Sequence, residues 1–372
     1  MPDAAKKAHV KPERLESWER GERRPTIRQL RELGRVYKRP LAVFYLPIPP
    51  KSFEAMHDFR RLPAEARKRK SPELMLEIRR AHQRREIAVE LYRELGVSPP
   101  EFSATATPSE NPEIIGHRLR WLLGITYERQ IKWGDPYAAF NAWREAFETL
   151  GVLVFQARGI DVTEMRGFSI SDRPLPAIVV NIKDSPRGRI FTMLHECAHI
   201  VLREGGLCDL EEDAQQNSAE QSAEVFCNEV AATTLLPTED LLREQIVAAK
   251  GKKTQWEDDE LDLLSRRYGA SSEAILRRLL RLGLTTKQFY RGKRDELQTR
   301  YMLRQRRSGF APPDVAAVSA AGPLFVRLVL NSYYQEKITS SDLSDFLDVR
   351  LKHIPSIEEA VFGNPVAFRG RP

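Results

Sequence analysis

Apolar residues along this chain recur at helical spacing, switch to short β-type runs near the middle, and then return to helical spacing. From Ser71-Pro72-Glu73 to about Leu95-Gly96 a long charged stretch keeps Leu76, Ile78, His82, Ile87 and Leu91 on its less polar side, which predicts one long helix. Residues 113–123 and 136–150 repeat the pattern as a helical hairpin that ends at Gly151. The period then shortens. Val152-Leu153-Val154-Phe155, Gly167-Phe168-Ser169-Ile170 and Ala177-Ile178-Val179-Val180-Asn181 are β-branched or aromatic runs bounded by Gly, Asp and Pro, and predict a small antiparallel sheet. Helical spacing resumes over residues 191–202 and 218–236, where Ser218 with Gln221 reads as a capping box and Pro237 as a stop. Residues 263–280 hold a helix, a Gly turn, a Ser cap and a second helix, and further helices are expected at 325–334 and 341–347.

Before the long helix, residues 10–46 read as short helices. Pro12 opens the first and Gly21 stops it; Pro25 and Thr26 open 27–37, with Ile27, Leu30, Leu33 and Tyr37 on one face; residues 40–45 form a third. Pro47-Ile48-Pro49-Pro50 is a stiff connector, and residues 102–112, rich in Ser, Thr, Ala and Pro, read as a linker. The expected fold class is α+β and mostly helical. Its expected divisions are a partial helix-turn-helix-like segment at 1–50, a helical linker region at 51–135, an enzyme-like core at 136–285 and a C-terminal helical region at 286–372.

Composition narrows the function classes. With 372 residues, 41% apolar and 30% charged, the chain has enough apolar material for a sizeable core and suits a soluble protein. No run of eighteen apolar residues supports a membrane span, and the first residues lack the apolar core of a secretion signal. Cys197, Cys208 and Cys227 are an odd set without disulfide or zinc-ribbon spacing, so a cytoplasmic location with free thiols is expected. Net charge is +7, concentrated in residues 1–50, where twelve Lys and Arg face six Asp and Glu; such a patch meets nucleic acid or serves as a solvated face. Residues 204–224, by contrast, are acidic.

The strongest chemical signal is His195-Glu196-Cys197-Ala198-His199, set in an apolar helical run. On a helix His195 and His199 lie one turn apart on one face, so both imidazoles reach one metal ion. Glu196 stands beside the first of them, where its carboxylate can hold a water and take its proton. Leu194, Ala198, Val201 and Leu202 bury the rest of that helix; the bland alternative is a buried helix with two hydrogen-bonded histidines. A zinc hydrolase site needs a third protein ligand. Glu220 and Glu224, one turn apart on the 218–236 helix, are the candidates. Glu224 is preferred, since it falls between Ala223 and Cys227 on the buried side with Asn228 one turn on.

Residues 189–199, then Glu224-Val225-Phe226-Cys227-Asn228 and Ala231-Ala232-Thr233-Thr234-Leu235-Leu236-Pro237, resemble the ImmA/IrrE metallopeptidases. The resemblance covers roughly residues 150–237, and Cys197 departs from it by replacing a more usual apolar or glycine residue. It implies a zincin-like, gluzincin-like core, zinc held by His195, His199 and Glu224, and Glu196 as the catalytic base. Manganese or another divalent ion fits the same donors. The implied substrate is a partner transcriptional repressor, cut as part of a stress or mobile-element switch, with an edge strand offered to an extended substrate.

Leu15-Glu16-Ser17-Trp18-Glu19-Arg20-Gly21-Glu22-Arg23-Arg24-Pro25 resembles the second half of a repressor-type helix-turn-helix domain. Arg14, Arg20, Arg23 and Arg24 would be its phosphate contacts. The helices that precede such a segment are expected to be missing here, or to lie upstream of Met1, which argues against independent sequence-specific DNA binding. The rival to an enzyme is therefore a non-catalytic DNA-binding regulator, or an antitoxin-like module, that uses the peptidase fold as a sensor. The complete His195, Glu196, His199 and Glu224 set argues against that rival.

Overall fold

The computed structural model describes residues 2–46, 71–203, 218–304 and 312–363, and most of them are helical. The chain divides into two compact units, and the division falls inside one long helix, between residues 80 and 81.

In the first unit, α1 (Pro2–Lys7), α2 (Pro12–Glu19) and α3 (Ile27–Tyr37) close around Ala5, Ala8, Leu15 and Leu33. Thr26 caps α3 reciprocally: its hydroxyl accepts from the Gln29 N–H, and the Gln29 side chain accepts from the Thr26 N–H. A short 3-10 helix, Leu41–Tyr45, follows. One expectation is corrected here. A helix, α1, does stand before Val10, because Ala5 and Ala8 bury their small side chains against Leu15 and Leu33. Of the α3 residues read as sharing one face, Leu33 is buried while Ile27, in the first turn, is 56% exposed. The connector at 47–50 and the turn-like segment at 58–63 lie outside the described residues. Residues 71–80 open α4 (Pro72–Glu94), whose first turn is capped by the Ser71 hydroxyl accepting from the Leu74 N–H.

The second unit starts with the rest of α4 and continues through α5 (Pro112–Leu122), α6 (Tyr127–Gln130) and α7 (Pro136–Thr149). Three strands follow: β1 (Leu153–Ala157), β2 (Gly167–Ile170) and β3 (Ala177–Asn181). Their order is β1-β3-β2. The sheet is mixed, which corrects the antiparallel expectation: β2 and β3 are antiparallel, with Gly167 opposite Val180, whereas β1 runs parallel to β3, with Leu153 opposite Ala177. The short return from β2 to β3 forces antiparallel pairing there, while the longer connection from β1 carries the chain past β3's position. Every strand residue is buried, which explains why the strands read as continuous apolar runs rather than alternating ones.

Against this sheet lies α8 (Pro186–Arg203), and against α8 lies α9 (Ser218–Leu235), itself packed along α5. Then come α10 (Thr238–Arg243), α11 (Gln245–Ala248), α12 (Asp258–Tyr268), α13 (Ser272–Arg281) and α14 (Lys287–Arg304). The last four are α15 (Pro313–Ala321), α16 (Pro323–Tyr334), α17 (Ser340–Leu347) and α18 (Ile354–Phe362). No single helix among the described residues is long and apolar enough to cross a membrane.

One core holds the middle of this unit together, and it reaches beyond the expected boundary at 135/136. Phe102, Ala104 and Ala106, in the stretch read as a linker, are buried in it while their neighbours face out. The Ala106 N–H donates to the Val201 carbonyl of α8. A polar composition hid an alternation of buried and exposed positions, carried by residues as small as alanine.

The end of α9 is held from three sides. Arg120 Nη1 of α5 donates to the Thr234 carbonyl (2.9 Å), Gln130 Nε2 of α6 to the Leu235 carbonyl (3.0 Å), and Arg278 Nε of α13 to the Leu236 carbonyl (3.1 Å). These are carbonyls that a helix end leaves without intrahelical partners, and two of the donors bring positive charge to the negative end of the dipole. Helix α9 is thereby fixed in position relative to α8.

Candidate metal centre

Helix α8 buries Met193, Leu194, Cys197, Ala198 and Val201, so its histidines emerge from a rigid, packed element. His195 Nε2 and His199 Nε2 converge to 3.0 Å. Across from them, α9 presents Glu224 with Oε2 at 3.4 Å from His195 Nε2 and Oε1 at 3.3 Å from His199 Nε2. Tetrahedral zinc with bonds of about 2.0–2.1 Å sets neighbouring ligand atoms ~3.3 Å apart. Two imidazole nitrogens and a carboxylate at these separations therefore fit such an ion. Among the described residues this is the one group of three His, Cys, Asp or Glu donors close enough to hold a metal.

Burial works against ionisation of Glu224, but hydrogen bonds to His195 and His199 outweigh it and hold the carboxyl well below the usual carboxylate range. The group is thus kept as the anion a metal requires. Its carboxylate, 35% exposed, marks the solvent side of the site, whereas His195 is fully buried. The Asn228 side chain donates to the Glu224 backbone carbonyl at 2.8 Å, one turn along α9. The alternative carboxylate, Glu220, and the Ser218–Gln221 cap involve side chains outside the described residues.

Glu196 points to the sheet side of α8. It is fully buried, and Ser169 Oγ on β2 donates to its Oε2 at 3.1 Å. Gly167 lets β2 approach α8 closely beside this carboxylate: a Cβ there would stand 2.4 Å from Thr192 Cγ2 and 2.8 Å from the Val179 carbonyl oxygen. All four β2 residues are buried, so this edge offers little surface for the substrate strand expected there. Cys197 is buried, and burial pushes its thiol pKa far up, so it packs as an inert side chain. Cys227, on α9, brings its Sγ to 3.5 Å from His199 Nδ1.

Ser169 and Cys227 are contacts that sequence reasoning did not assign. One signal was present: Ser169 is the lone hydroxyl in an otherwise apolar β2, and a buried polar side chain there calls for a partner.

Arg14, Arg20, Arg23 and Arg24 belong to the first unit and are exposed. Arg20 pairs with Glu16 and Glu22, and the Arg14 guanidinium stacks over Trp18 at 5.5 Å. In the α12–α13 pair Arg277 pairs with Glu273, Arg278 with Glu113 and Arg281 with Glu229, while Arg266 is exposed.

Residues 147–280 match the family model of the IrrE N-terminal-like domain, a metallopeptidase family, and the match spans the sheet, α8, α9 and the α12–α13 pair. No curated protein matches this chain.

Proposed function

We propose that this chain is a zinc-dependent endopeptidase that cleaves a cytosolic protein, a transcriptional repressor, within a stress or mobile-element switch. The observation that carries the reading is the convergence of His195 Nε2, His199 Nε2 and the Glu224 carboxylate to mutual distances of 3.0–3.4 Å beside Glu196. These three residues would hold the ion, and manganese or another divalent metal suits the same donors. An ion held there would supply Lewis acidity, to polarise a peptide carbonyl and to lower the pKa of a water molecule, to about 7 in well-tuned zinc sites. Glu196 accepts the proton of the attacking water and returns it to the amine nitrogen as the peptide bond breaks. Burial of Glu196 and its hydrogen bond from Ser169 hold that carboxylate in one orientation. The repressor as substrate is supported by the resemblance of residues 150–237 to ImmA/IrrE metallopeptidases.

The test is the metal content of purified protein, compared with Glu224→Gln and Glu220→Gln. Near-stoichiometric zinc that is lost in Glu224→Gln and kept in Glu220→Gln is the expected result. Little metal in the parent chain at any divalent-ion supply overturns it.

A second reading, a DNA-binding regulator or antitoxin-like module, draws on the first unit. There α1 and α2 are joined by a four-residue turn, with His9 in the left-handed region (φ 54°), and Arg14 and Arg20 lie exposed on or just after α2. Duplex binding that weakens on replacing Arg14, Arg20, Arg23 and Arg24 with alanine, and that falls with salt, supports it; no binding at low salt removes it.

A further inference from the structure

We infer that Cys227 is a positioning residue: its sulfur receives the Nδ1–H of His199 and holds that ring with Nε2 turned toward the metal position. This rests on the metal-centre reading above. The geometry starts from His199, whose two ring nitrogens face different partners. Its Nε2 points at His195 Nε2 and Glu224 Oε1, at 3.0 and 3.3 Å, while its Nδ1 points at Cys227 Sγ, at 3.5 Å.

A neutral imidazole that offers Nε2 to a metal carries its proton on Nδ1. His199 is only 7% exposed, so that N–H needs an acceptor within the protein. In most metal sites the acceptor is a carboxylate, a backbone carbonyl or water; it fixes the tautomer and raises the basicity of the ligand. Here the sulfur occupies that place.

The placement on α9 gives the contact a further consequence. Glu224 and Cys227 are three residues apart and share one face of the helix. A single turn of α9 therefore brings a ligand to the site and also the support for a second ligand on α8. Seating α9 on α8 sets both at once, and the three side chains that hold the end of α9 keep that seat.

The test measures zinc affinity of the full chain by competition with a chromophoric chelator, for the parent and for Cys227→Ala, Cys227→Val and Cys227→Ser. Thermal unfolding of each metal-free variant accompanies it. Alanine and serine leave nearly the same gap, so the difference between them reports the acceptor rather than packing; valine removes the acceptor while filling the core. We expect affinity to fall about 10- to 100-fold for Cys227→Ala and Cys227→Val, and serine to recover most of the loss. The cobalt-substituted parent should show no thiolate-to-metal charge-transfer band, since the sulfur supports a ligand and is not one. Unchanged affinity in all variants, a serine variant as weak as alanine, or a thiolate band in the cobalt protein overturns the positioning role and leaves the metal centre standing. A parent chain that binds zinc no better than His195→Ala overturns the metal centre and the positioning role with it.

Discussion

Ser169 is where the smallest change should have a selective effect. Its hydroxyl donates to Glu196 Oε2 from a neighbouring strand, and it touches none of the three proposed metal ligands in the contacts described. Ser169→Ala should therefore lower turnover of a cleaved peptide about tenfold while metal content stays the same, and Ser169→Thr, which keeps the hydroxyl, should retain most activity. Metal loss in the alanine variant, or a threonine variant as slow as alanine, would mean that Ser169 shapes the site as a whole. Glu196→Gln should abolish cleavage and leave metal content intact; retained cleavage removes Glu196 from its role as base. The residues that face the proposed ion were legible because their geometry is local: four positions on one helix define His195 and His199, and Glu224 was preferred for its place between Ala223 and Cys227 on the next helix. Ser169 and Cys227 were not, because what each side chain meets is decided by how β2 and α9 pack on α8. No spacing within the sequence encodes that.

At the scale of elements, α9 depends on side chains from elsewhere for its last turn. Arg120 is buried, and burial lowers its pKa to about 10, yet its guanidinium still bridges the Thr234 carbonyl and the Gln130 side chain. Arg120→Leu removes the donor from both acceptors inside the core. We expect a loss of about 2–5 kcal/mol in unfolding free energy, measured by denaturant titration of the metal-free chain. A loss below about 1 kcal/mol would show that water replaces the guanidinium. Elements themselves were readable where caps and periodicity agree: Thr26 with Gln29 at α3, Pro136 at α7, and the β-branched run at β3. Pairing direction was not, because a strand buried on both faces carries no mark of which neighbour it meets or in which sense. Residues 102–106 were missed for a different reason, since alternation carried by Phe and two Ala is weak against a background of Ser, Thr and Pro.

The second unit as a whole is tied together at Glu148, which links the segment matched by the family model to the C-terminal helices. Glu148 closes α7, and its Oε2 accepts the Leu324 N–H at the start of α16 (2.9 Å). Gly322, at φ 79°, lets the chain pass there; a Cβ would stand 2.6 Å from the Val154 carbonyl oxygen and 2.7 Å from Glu148 Oε1. Beside this junction Gln156 donates to the Ser319 carbonyl (3.0 Å) and Arg158 to the Ala316 carbonyl (2.8 Å), so α15 is fastened along β1. Within the region 286–372, read from the sequence as C-terminal helices, α15 is thus bound to the sheet. Burial raises the Glu148 pKa to about 7, even though Arg144, the Leu324 N–H and Arg327 pull it down. A carboxyl whose pKa is higher folded than unfolded binds its proton more tightly in the folded chain. Its contribution to stability is then complete below the unfolded value, near 4.5, and is lost as pH rises through about 7. The shift corresponds to about 3 kcal/mol between pH 5 and pH 8. Glu148→Gln keeps an acceptor for Leu324 and has no proton to lose, so its stability relative to the parent should rise by about that amount across the same window, over any constant offset from the amide. Parallel pH profiles for the two proteins in denaturant titrations would show that Glu148 stays ionised inside the fold, and that the C-terminal helices accept a buried charge at this junction without the cost argued here.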